Sequence, residues 1–119
     1  MAFEPFVAYP MRHETRPLIL DIGVGFNFWE HSAIVYPGVR RDGLQRPKVM
    51  IKASGGNKAT SKVVARLVAS PAKYEMVWHL NQYTFDCRLS NLECISNADY
   101  ASRLYGDGVK RYLETPRQL

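Results

Sequence analysis

An α+β fold of short strands and short helices is predicted, on three observations. Brief apolar runs lie between prolines and glycines, the usual punctuation of strands. Residues 48–52, Lys-Val-Met-Ile-Lys, alternate in the strand manner. Two later stretches carry helix signals, one an apolar stripe and the other a capping pair.

In chain order, residues 18–24 and 33–36 are apolar runs expected as strands. Gly23 and Gly25 lack a third glycine and a following helix, so they read as a turn and not a phosphate cradle. Pro37 and Gly38 mark another turn. Residues 48–52 and a strand from Thr60 onward form a hairpin around a turn at 54–57. Val63, Val64, Leu67 and Val68 fit the stripe of a short helix that Pro71 terminates. Residues 75–79 read as a strand, 80–90 as a polar loop and 92–95 as a second short strand. Ser96 and Asp99 have capping-box spacing for a helix to about Leu104, stopped by Gly106 and Gly108. Residues 107–119 are a charged tail.

The 119 residues are 46% hydrophobic, 12% aromatic and 23% charged, a globular balance for about one domain. The apolar run at 17–24 is broken by Asp21, and no charged segment leads an apolar run at the N-terminus. A signal peptide and a membrane span are therefore not expected, and a soluble intracellular protein is. Cys87 and Cys94 match no zinc spacing and read as two half-buried thiols in a reducing compartment.

Charge is the strongest compositional signal. Between residues 40 and 66 stand Arg40, Arg41, Arg46, Lys48, Lys52, Lys58, Lys62 and Arg66 against Asp42 alone, a local excess of +7. The rest of the chain has eight positive and ten negative residues, or −2. Clustered cations attract polyanions and release counterions from nucleic acid. These eight residues are the candidate nucleic-acid contacts, with Lys48, Lys52, Lys58 and Lys62 foremost for phosphate.

The chain carries V-A-R-L-V-A from Val64, V-W-H-L-N from Val77, D-C-R from Asp86 and N-L-E from Asn91, with Ser96, Asp99 and Tyr100 following. In order and spacing this resembles the HNH endonucleases of the His-Me finger superfamily, phage and homing type, over residues 46–106. The resemblance implies a ββα-metal core: a strand delivers His79, a loop crosses, a second strand follows and a helix packs over both. This core is preceded by the basic hairpin and by short N-terminal strands. It divides the chain into an extension at 1–45, an HNH-like domain at 46–106 and the tail. In that family the histidine is the general base, which an imidazole of neutral-range pKa suits. The asparagine matching Asn91 organises the loop, and a divalent cation stabilises the phosphate and leaving oxygen.

Departures from the family pattern fall on the metal. Its two ligand positions hold Trp78 and Tyr100; indole is donor-only, and a neutral phenol is a poor ligand for a hard cation. Ala65, Cys87 and Cys94 also replace the family's histidine, asparagine and tryptophan. No metal or other cofactor is therefore expected. His79 is either a surviving base or a loop-fixing residue, and Asp86 and Arg88 are expected to pair. Trp78 and Tyr100 either fill the vacated cup or offer a stacking platform for a base.

Three functions follow. The first is an HNH-fold DNA-binding or regulatory protein, phage-encoded and acting in the host cytoplasm, with its metal site lost. The second is an active nicking endonuclease using Mg or Mn on Asp99, Asp86 or Asn81. The third is a small phage protein that binds and inhibits a host protein through N-terminal aromatics such as Phe26, Phe28, Trp29 and Tyr36. No membrane partner is expected.

Overall fold

The structure, a computed structural model, describes residues 5–39, 44–51 and 60–105. The chain runs β1 (Phe6–Met11), β2 (Glu14–Asp21), α1 (Ile22–Glu30), β3 (Val35–Val39), β4 (Gln45–Ile51), β5 (Thr60–Val63), α2 (Val64–Ala69), β6 (Glu75–His79), β7 (Leu92–Ser96) and α3 (Asn97–Tyr105). Among the described residues these build three antiparallel sheets: β1–β2, β3–β4–β5 and β6–β7. The α+β class is as expected. The residues at 52–59, including the turn expected at 54–57, and the tail from 106 lie outside the described residues.

Four local expectations are corrected. First, β1 precedes the apolar run and pairs with β2, and the run itself turns helical at Ile22. The glycines at 23 and 25 are therefore inside α1. A Cβ on Gly25 would stand 2.6 Å from Val7 Cβ, so glycine permits α1 to lie directly on β1. Each glycine costs a helix about 1 kcal/mol, which hides the helix signal; burial of Phe28 against the core holds the helix regardless.

Second, Pro37 and Gly38 lie within β3 and not in a turn. Pro37 faces Pro47 across the ladder; Pro37 lies on the edge strand β3, and Pro47 precedes the stretch of β4 that pairs with β5, so neither missing N–H breaks a ladder bond. Third, α2 begins at Val64, and its buried residues are Val64 and Ala65, while Leu67 is exposed. Val63 still belongs to β5, so the helix starts later than the stripe assumes and its buried face is rotated. Fourth, Cys87 is fully buried, not half-buried, and burial pushes its thiol up to about 12. Cys94 is half-buried.

Side chains alternate as pleated strands require: Tyr9 and Met11 of β1, Leu18 and Leu20 of β2, Val49 of β4 and Val77 of β6 all point inward. With Phe28, Val35, Val64, Ala65, Phe85 and Cys87 they form one core drawn from both halves of the chain. Leu18 and Leu20, with no exposed surface, each stabilise it by about 2 kcal/mol.

The segment between β6 and β7 is an ordered loop. Ile19 of β2 turns its backbone away from β1, taking Phe85 O at 2.8 Å and giving its own carbonyl to Cys87 N at 2.9 Å. Asp86 is thereby bridged to Ile19 in parallel. Thr84 Oγ1 donates to Gln45 O at 2.6 Å, fastening the loop to the start of β4. At its far end Ser96 Oγ accepts Asp99 N–H at 3.0 Å, the expected cap of α3.

Candidate functional site

His79 ends β6, where the inward alternation of Val77 and His79 drives the ring below the surface to 6% exposure. Its Nδ1 stands 3.1 Å from Asp86 O. A carbonyl only accepts, so Nδ1 carries the hydrogen and Nε2 the lone pair. Burial lowers the imidazole below its ordinary range, opposed by the bond to the Asp86 carbonyl and assisted by the Arg46 charge. A neutral imidazole with a free lone pair is the form a general base needs.

The loop beside it is braced from within. Asn91, buried at the turn into β7, donates through Nδ2 to Asp86 O and to Asn81 Oδ1, both at 2.9 Å. Its Oδ1 accepts Asn81 N–H at 3.0 Å. The Asp86 carboxylate takes Arg88 in a two-point pair, 2.9 Å from Nε and 2.7 Å from Nη2, and Asn81 Nδ2 at 3.0 Å. Burial acts to raise that carboxyl, but Arg88 and Asn81 outweigh it and hold it below its ordinary value. Asp86 and Arg88 pair as expected, and Asn91 sits beside the histidine in a loop-bracing position.

On the other side of His79 lies a stack of rings and cations. Trp78, on the opposite face of β6, meets Tyr100 of α3 edge to face, with centroids 5.7 Å apart. Arg46, from β4, places its guanidinium 5.5 Å from the Tyr100 ring centroid and donates to the Tyr100 hydroxyl. Arg103, one helical turn beyond Tyr100, lies 5.5 Å from the Trp78 ring and pairs with Glu93 at 2.6 Å. Glu93 is the cross-strand partner of Trp78. Tyr100 is 7% exposed, too little to present a ring face to a base.

These groups do not fit a hard cation: the indole has no acceptor and the phenol oxygen is engaged by a guanidinium. Asp99 is exposed, while Asp86 and Asn81 are engaged with Arg88 and with each other. Among the described residues no group of three or more His, Cys, Asp or Glu could hold a metal.

The candidate basic contacts divide. Arg46 is half-buried at this site, Lys48 is half-buried under Gly38, and Lys62 and Arg66 are exposed at the β5–α2 junction. Arg40, Arg41, Lys52 and Lys58 lie outside the described residues. Asn81 and Glu93 stand in the quoted motifs, Asn81 also as a candidate ligand, but the motifs imply neither role found here, and Arg103 is absent from them. The signals available were the i, i+3 spacing of Tyr100 and Arg103 and the strand pairing that sets Glu93 against Trp78. Among the described residues no helix is long and apolar enough to cross a membrane. No family model matches the chain, and no curated protein or solved structure matches it.

Proposed function

We propose that this chain is a DNA-binding or regulatory protein on an HNH-like ββα scaffold, in which protein groups have taken over the metal position. The order β6, loop, β7, α3 supports the scaffold, with His79 at the strand end and Asn91 bracing the loop. The observation that carries the loss of cleavage is Arg46. Its guanidinium, held on the Tyr100 hydroxyl, supplies a fixed positive charge beside a buried imidazole. A second, divalent charge there would be repelled and would find no oxygen ligands. Binding falls to the basic segment of which Arg46 is a part. A phage origin and action in the host cytoplasm belong to this reading through the family resemblance alone.

The test is a mobility-shift titration against salt, run beside plasmid nicking in magnesium and in manganese. Expected are a log–log salt slope near −0.9 per phosphate contacted and no nicking. The double variant Trp78→Asp/Tyr100→Asn restores two oxygen ligands, and nicking gained only there supports a scaffold that lost its cup. A flat salt response overturns the DNA-binding reading; nicking by the natural chain, abolished in His79→Ala, makes it an endonuclease.

One observation favours a second reading, a host-protein binder. Ile22, Phe26 and Trp29 form an exposed stripe along α1 at i, i+4 and i+7. Capture of a host protein that survives nuclease treatment and is lost in Phe26→Asp would favour it.

A further inference from the structure

A groove of about 420 Å³ opens where β5 meets α2, lined by Lys62, Val63, Arg66, Leu67, Ser70 and Pro71. Its volume lies in the range of small-ligand clefts. Its lining combines the cations Lys62 and Arg66 with the apolar Val63, Leu67 and Pro71. Arg66 is held in place, donating through Nη1 to Glu75 O at 3.2 Å.

That bond ties the groove to the turn that carries an exposed aromatic ring. Tyr74, next in chain to Glu75, is 71% exposed, and the Lys73 ammonium stands 5.1 Å from its ring centroid. The turn that presents it is closed on itself. Glu75 N–H donates to Ala72 O at 3.0 Å, Ala72 N–H donates to the Glu75 carboxylate at 2.8 Å, and Asn97 N–H donates to Tyr74 O at 3.2 Å. Tyr74 itself has φ 69°, in the left-handed region that a bulky residue rarely adopts. A large ring is thus held out in water by a costly backbone, and the one acidic group of the turn is bonded to its backbone.

We propose that this groove and Tyr74 bind a single nucleic-acid strand. The Tyr74 ring stacks a base, Leu67 and Pro71 receive the sugar and base edges of its neighbour, and Lys62, Arg66 and Lys73 neutralise the phosphates between them. An exposed ring flanked by cations is the arrangement that single strands recognise, since every base offers a π-face. A duplex keeps its bases stacked inside and has nothing to place on Tyr74, Leu67 or Pro71. This rests on the nucleic-acid reading above and adds strandedness and the residues that select it.

Fluorescence anisotropy with a labelled oligo-dT strand tests it, with a labelled duplex in parallel. Tyr74→Asn keeps a residue tolerant of positive φ and is expected to weaken oligo-dT binding about tenfold while leaving duplex binding unchanged. Tyr74→Trp restores it. Lys62→Gln lowers the oligo-dT salt slope by about 0.7, and as an exposed site on β5 it tests the groove independently of the turn. Wild-type affinity for oligo-dT in both variants overturns the groove. If the duplex still binds with a steep salt slope, DNA binding survives that result. Absence of binding to either probe overturns both readings.

Discussion

The two sides of His79 are built by different means. On the loop side, Asn81, Asp86, Arg88 and Asn91 lock one another through directional bonds, and the Asp86 carbonyl serves both the imidazole and the Asn91 amide. On the helix side, Arg46, Tyr100, Trp78 and Arg103 layer guanidinium on ring and ring on ring. A bond network that ends on backbone atoms tolerates no exchange of residue type, because each loss strands a buried polar group. Stacked rings are bound by area and polarisation and can be rebuilt with other rings. The lesson is that this site is rigid where it positions the imidazole and replaceable where it would hold a ligand.

The sharpest way to break that contrast is Asp86→Asn. It removes the carboxylate from a pair that is 2% exposed on the acid side, and the expected cost is about 3 kcal/mol. Asn91→Ala should follow at about 2 kcal/mol, since the Asp86 carbonyl keeps its bond to His79. Urea denaturation reads both as lower midpoints. Should the two variants unfold at the wild-type midpoint, the loop is not the rigid half.

Much of the fold around the site was legible in the sequence, and the reasons are local. Strand β6 alternates, Ser96 and Asp99 mark the start of α3, and Pro71 ends α2 after Ser70 in the left-handed region. What escaped were features set by distant partners. Helix α1 exists because Gly25 fits against Val7 and Phe28 fills the core, neither visible in a window containing two glycines. The strand through Pro37 depends on β3 being an edge, a property of the whole sheet. At the site, Asp86, Arg88 and Asn91 were read from their spacing, but the reach of Arg46 to Tyr100 spans 54 positions and no spacing encodes it.

Acid tests the imidazole that joins the two halves. Its folded pKa lies below the ordinary 6.5, so between the two values the unfolded chain binds the extra proton. Stability therefore rises with pH across that window and falls as pH drops from about 6.5, by up to about 1.4 kcal/mol per unit. The charged groups that act on the ring are Arg46 from β4 and Asp86, which pairs with Arg88 in the loop. The Asp86 carboxyl titrates only below its ordinary 3.8, so its contribution is lost in a separate, more acidic window. His79→Gln should abolish the upper slope and leave the lower one; urea midpoints taken from pH 7 downward distinguish them. A slope that persists in the variant would assign the effect elsewhere.

The smallest effect belongs to the replaceable half. Tyr100→Phe keeps the ring against Trp78 and beneath Arg46, and removes only the hydroxyl that accepts from Arg46. The loss should be about 1 kcal/mol, that of one side-chain hydrogen bond. A double-mutant cycle with Arg46→Ala isolates the interaction, because Arg46 removes its ring contact in both backgrounds. Coupling near 1 kcal/mol means that the hydroxyl fixes the guanidinium. Zero coupling means that stacking alone seats Arg46, and the helix side is then held by surface contact throughout.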